Sequence, residues 1–153
     1  MKKLIAVLML APALCFAESR YIAAQPMDQP NGSTCKVLVA DYRPGSGVMY
    51  LGTCGWTGLK GVASYTQGWN AGNHIKVVRG EFDSGKPLSV TKVMYLNKVN
   101  KTIHTYEQSE YGTGMSKKYN LDDVLTDAKQ AGLRLDNSIM AYTKLANYLD
   151  IFE

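Results

Sequence analysis

Few side chains in this 153-residue chain have the types and spacing that chemistry needs. Cysteines stand at Cys15, Cys35 and Cys54, and the only histidines are His74 and His104. A general base assembled from His104 with Glu107 or Glu110 is the one acid–base arrangement on offer, and spacing alone does not bring those groups together. The chain has no G-x-S-x-G elbow, no H-E-x-x-H helix, no phosphate loop and no clustered metal-ligand spacing. A non-enzymatic protein without cofactor or metal is therefore expected, and an envelope hydrolase using His104 is the alternative.

The cysteines point to structure rather than catalysis. Cys15 falls in the amino-terminal leader, which leaves Cys35 and Cys54 as an even pair. C-x-x-C spacing is absent and neither cysteine has a histidine close by in sequence, which speaks against a redox or metal pair. A Cys35–Cys54 disulfide in an oxidising compartment is expected, worth about 3 kcal/mol on the chain-entropy model.

Recognition is better supplied than catalysis. The chain holds ten tyrosines and two tryptophans, side chains that combine apolar area with a polar tip. Trp56 and Trp69 each lie in a loop flanked by glycine, and with Tyr65 and Arg79 they are the candidate binding residues. Tyr50, Tyr65, Tyr95, Tyr106, Tyr111 and Tyr119 fit an exposed surface for a sugar polymer or a protein. Tyrosines at this density equally fit strands packed across a sheet.

The elements that must position these residues begin after a leader. Residues 1–17 carry Lys2 and Lys3, an apolar run from Leu4 to Leu14 and small residues before a cut after Ala17, the pattern of a cleavable secretory signal peptide. The apolar run is too short to span a bilayer comfortably. Leu14 stands where lipoprotein signals have a small residue, so a soluble protein of the periplasm or exterior is expected, without stable membrane insertion. Losing Lys2 and Lys3 lowers the formal net charge of +4 by two. So weak a basic excess argues against nucleic acid as partner.

An irregular arm is expected over residues 18–34, where Gln25-Pro26, Gln29-Pro30 and Asn31-Gly32-Ser33 favour turns. A single domain is expected over 35–153. Strands are read at Cys35–Tyr42, Val48–Cys54, Gly61–Tyr65, His74–Phe82 and Leu88–Lys98, with Thr102–Tyr106 as a further one, so that the disulfide staples neighbouring strands or their ends. Beyond the Tyr111–Gly114 loop the period becomes helical. Leu121, Val124, Leu125, Ala128 and Ala131 recur behind the N-cap Asn120, with Gly132 as the stop. Asp136 or Asn137 then caps a second helix bearing Ile139, Tyr142, Leu145, Ala146, Leu149 and Phe152. The expected class is α+β: an antiparallel meander of hairpins followed by two carboxy-terminal helices.

Ten of the 14 glycines lie between Gly45 and Gly85. Within that stretch Tyr50-Leu51-Gly52-Thr53-Cys54, followed by Gly58 and Gly61, parallels Val78-Arg79-Gly80-Glu81-Phe82, followed by Gly85. The pattern resembles the MORN repeat over roughly residues 48–88, with Cys54 and Val78 in places where the family has aromatics and with a wider separation between units. The resemblance implies a twisted row of β-hairpins and a module that binds protein or lipid head groups. The expected function is that of a small exported protein-binding module, one version being an immunity or inhibitor protein. Its partner would be another periplasmic or envelope protein, and glycan or peptidoglycan binding is the alternative.

Overall fold

The computed structural model describes residues 19–29, 31–136 and 139–149, with only the backbone of Ile139. The expected signal peptide, Asn137 and Phe152 lie outside the described residues. Eleven elements follow one another: β1 (Arg20–Pro26), β2 (Cys35–Val39), β3 (Gly47–Gly55), β4 (Gly58–Trp69), β5 (His74–Asp83), β6 (Lys86–Pro87), β7 (Thr91–Asn97), β8 (Thr102–Ser109), β9 (Gly112–Asn120), α1 (Leu121–Gln130) and α2 (Ile139–Tyr148). The class is the expected one, a mostly antiparallel sheet followed by two helices, with the Cys35–Cys54 disulfide formed. Strand order is β2-β1-β3-β4-β5-β7-β8-β9, with β6 paired to β5. A single pairing is parallel, Gln25 and Pro26 of β1 against Met49 and Tyr50 of β3.

Three features differ from the sequence expectation. The arm over 18–34 contains β1, whose Ala24 and Pro26 face inward while Tyr21, Ala23 and Gln25 face out. Proline is tolerated because Pro26 ends the strand, where a missing N–H costs least. Strand β1 also separates β2 from β3, so the disulfide joins two strands that are not hydrogen-bonded neighbours. Finally, β9 is a strand where a loop was expected. Its GTGMSKKYN sequence has no apolar alternation because almost every residue in it is exposed at the sheet's edge. That edge is blunted by Met115 at φ 47°, a register shift against β8, and Lys117 and Lys118.

Gly52 and Gly61, read from the sequence as strand residues, lie within one long hairpin. Gly52 (φ 146°) and Gly61 (φ 73°) sit where the β3–β4 register shifts between Leu51 and Thr53, so β4 continues unbroken for 12 residues. A bulge of this kind bends the ribbon without ending it.

Strand alternation sends side chains to two faces of the sheet, and both are covered. On one face Ile75, Val77, Met94, Leu96 and Ile103 pack with Leu121, Val124 and Ala128 of α1 and with Leu145 and Ala146 of α2. Helix α1 starts where the Asn120 side chain accepts a hydrogen bond from the Asp123 N–H (3.1 Å), and Asp122 and Asp123 meet the positive end of its dipole. On the other face Tyr65, Val78, Phe82 and Val93 are covered by Ala24, Cys35, Val37 and Val39. Residues 63–67 of β4 are buried on both sides.

The β1–β2 ribbon reaches that second face by curling until β2 meets the hairpin turns. The Leu38 N–H donates to the Gly85 carbonyl (2.8 Å), and the Gly85 N–H donates to the Leu59 carbonyl (3.0 Å). Only glycine fits here. A Cβ on Gly85 would lie 2.5 Å from the Lys36 carbonyl oxygen, and one on Gly58 would lie 2.8 Å from the same atom. Ser84 and Gly85 also hold positive φ, 52° and 82°, as a two-residue type I′ turn demands. The disulfide, with Cα atoms 5.8 Å apart, ties the start of β2 to the end of β3 near this junction.

Gly85→Ala should therefore lower the unfolding free energy by about 3 kcal/mol in urea, since clash and backbone strain add. Gly45→Ala, also at positive φ but with open space around it, should lose only about 1 kcal/mol. Equal losses at the two positions would show that the junction is not closely packed.

Candidate functional site: a groove beside Trp56

The two-residue turn Trp56-Thr57 joins β3 to β4 between the paired Gly55 and Gly58. Three restraints hold it: the disulfide at Cys54, the close approach of Gly58 to the Lys36 carbonyl, and a 2.7 Å hydrogen bond between the Thr57 and Ser84 hydroxyls. Trp56 is fully exposed, at 102% of its reference area. A large apolar ring held out by a pinned turn gains stability only when something covers it.

The groove's other wall is the outward face of β1 and β2. Alternation places Tyr21 and Ala23 on that face of β1 and Lys36 on that face of β2, with Ala23 directly opposite Lys36. The Lys36 ammonium rests 4.4 Å from the centre of the Tyr21 ring, which is itself 47% exposed. An open groove of about 680 Å³ runs between these walls, bordered by Tyr21, Ala23, Thr34, Lys36, Cys54 and Trp56 among others. Its chemistry is that of two aromatic rings, threonine hydroxyls and one ammonium. Cys54, which also borders it, is held in the disulfide.

The four candidate binding residues do not come together. Trp69 lies at the other end of β4 from the Trp56 turn, roughly 35 Å along the strand. It stacks on His74 (5.3 Å, 8°) and Tyr95 (5.8 Å, 17°) and lies beneath the Arg43 guanidinium (5.2 Å), while His74 Nδ1 and the Tyr95 hydroxyl share a 2.6 Å hydrogen bond. Tyr65 is buried in the core, edge-on to Phe82, and its hydroxyl accepts from the Ala40 N–H (3.3 Å). Arg79, half-buried, stands on the helix-covered face between Ser64 and Lys92. Trp56 alone of the four borders the groove. Tyr21 was missed because the proline-bearing segment read as irregular hid the alternation of β1, and Lys36, on the expected strand, was missed because its neighbour β1 was not foreseen.

His104 meets Ser116 rather than a carboxylate, with Nε2 and Oγ 2.6 Å apart. Glu107 falls on the opposite face, facing Lys92, and Glu110 lies in the turn beyond β8. Among the described residues no group of three or more His, Cys, Asp or Glu side chains could hold a metal ion, and no helix is long and apolar enough to cross a membrane. The chain matches no family model, no curated protein and no solved structure.

A second polar cluster lies beneath the loop after β2. Lys76 is only 5% exposed, with its ammonium 3.5 Å from Asp41 Oδ2. Burial lowers its pKa, and the Asp41 carboxylate opposes that shift. Burial, and then the Asp41 charge, pushes the Tyr106 hydroxyl up to about 12, and burial raises Tyr65 as well. Both tyrosines keep protons that the unfolded chain releases near its ordinary value of 10.0. Their contribution to stability is complete below that pH and is lost as pH rises through the folded values. Lys76 works the other way. The folded chain gives up its proton first, so stability gains as pH rises through the window between the lowered value and 10.5.

With two raised tyrosines against one lysine, the unfolding free energy should fall between pH about 10 and about 12. Tyr106→Phe should make that fall shallower. An unchanged slope in urea titrations of the variant would mean that Tyr106 ionises as freely in the folded chain as in the unfolded one.

Proposed function

We propose that this is a small exported protein of the periplasm or exterior, without catalytic activity, which binds another protein through the groove beside Trp56. The observation that carries the reading is a fully exposed tryptophan on a turn restrained by a disulfide, a hydroxyl pair and a glycine contact. Preorganised aromatic anchors of this kind lose little conformational entropy on binding and dominate the energetics of interfaces. The leader over residues 1–17 and the use of a disulfide support export. A binding role is also what the resemblance of residues 48–88 to the MORN repeat implies. One version is an immunity or inhibitor protein that caps a secreted toxin or hydrolase.

Affinity capture from periplasmic extract with the wild-type chain and with Trp56→Ala tests this reading. Trp56→Ala should weaken retention of the captured protein by about 2 kcal/mol, some 30-fold, while its urea midpoint stays that of the wild type. Undiminished retention by Trp56→Ala would overturn the reading. Retention on isolated cell wall that is lost in Trp56→Ala would replace the protein partner with a glycan.

A further inference from the structure

The groove's charge goes further than its shape. Lys36 is the one charged residue lining it. The stem of a second lysine, Lys60, passes Gly55 at the rim, with its Cδ 3.3 Å from where a Cβ would stand. Neither lysine belongs to an ion pair among the described residues. In the neighbouring β5–β6 turn, Asp83 stands opposite Lys86. The Lys36 ammonium is instead held against the Tyr21 ring (4.4 Å), which leaves its remaining N–H donors directed to solvent. Trp56 rises on the far wall, and Ala23 leaves depth between the two rings.

We infer that the partner segment taken by this groove is an acidic one: an extended stretch that places an apolar side chain between Trp56 and Tyr21 and a carboxylate on Lys36, with Lys60 adding attraction at the rim. The inference rests on the protein-binding reading above and gives the chemistry of its partner. Charge complementarity decides the sign. A basic segment would bring like charges onto Lys36 and Lys60, and an uncharged one would leave the Lys36 donors unmet where water is displaced. Lys36 faces outward from a strand whose backbone makes the junction, so its side chain can be changed without disturbing the Lys36 carbonyl contacts.

Two blocked synthetic peptides of equal length test this, Glu-Leu-Glu-Phe-Glu and Lys-Leu-Lys-Phe-Lys, titrated into the isotope-labelled full chain at low salt. The acidic peptide should move the Trp56 indole N–H signal, identified by its loss in Trp56→Phe, and the basic peptide should leave it in place. Lys36→Glu should weaken the acidic peptide about tenfold and Lys36→Gln by less, with added salt weakening the wild type. Equal binding of both peptides, no binding of either, or unchanged affinity in folded Lys36→Glu would overturn the inference. So would an N-acetylglucosamine oligomer that moves the same signal as strongly as the acidic peptide. These outcomes are separable from failure of the parent reading, which is decided by Trp56→Ala against a captured protein and involves no change at Lys36.

Discussion

The fold turns on one close contact, in which the Lys36 carbonyl of β2 is approached from two sides by glycines that have no room for a side chain, Gly58 and Gly85. Around it sit the Leu38–Gly85 and Gly85–Leu59 hydrogen bonds and the Cys35–Cys54 bridge. Together they turn an open ribbon into a cover. Without them β1 and β2 would hang from the sheet by a short parallel pairing at Gln25 and Pro26, and Ala24, Val37 and Val39 would face water instead of Tyr65 and Phe82. The groove depends on the same contact, because one of its walls belongs to the ribbon and the other to the turn that the ribbon meets.

Covering both faces of a single sheet has a cost in the middle. Ser64 Oγ, Thr66 Oγ1 and Gln67 Nε2 are buried without a hydrogen-bond partner among the described residues, each a penalty of about 1–3 kcal/mol. Lys76 is buried nearby with a single carboxylate for company. The offset comes from double-sided apolar burial along β4, β5 and β7 and from the disulfide, which removes freedom from the unfolded chain. A small domain with polar atoms in its centre has reason to keep a covalent tie.

Much of the architecture was legible in the sequence. Helix α1 announced itself through Asn120, the acidic pair behind it and Gly132, all local signals that tertiary packing had no reason to override. The disulfide followed from pairing arithmetic. What could not be read were the edges. Strand β9 is exposed and so carries no apolar period, and β1 looks like a loop because proline marks its end. Gly52 and Gly61 were read inside strands, but the bulge they form stayed hidden because a glycine's positive φ serves a bulge and a reversal equally well. The site was legible only at Trp56. Tyr21 and Ala23 belong to it through β1, a strand that the sequence did not reveal, and without β1 opposite it Lys36 of the expected strand had no wall to share.

Strand β2 is locked to the hairpin turns as part of the cooperative core. Native-state hydrogen exchange at the Leu38 and Gly85 amides tests this, since the first donates from β2 to the β5–β6 turn and the second from that turn to Leu59 of β4. Both amides should exchange only through global unfolding, as slowly as the central amides of β5. Exchange as fast as at the free edge of β9 would contradict it, because the ribbon would then be a loosely attached flap and the groove a transient feature.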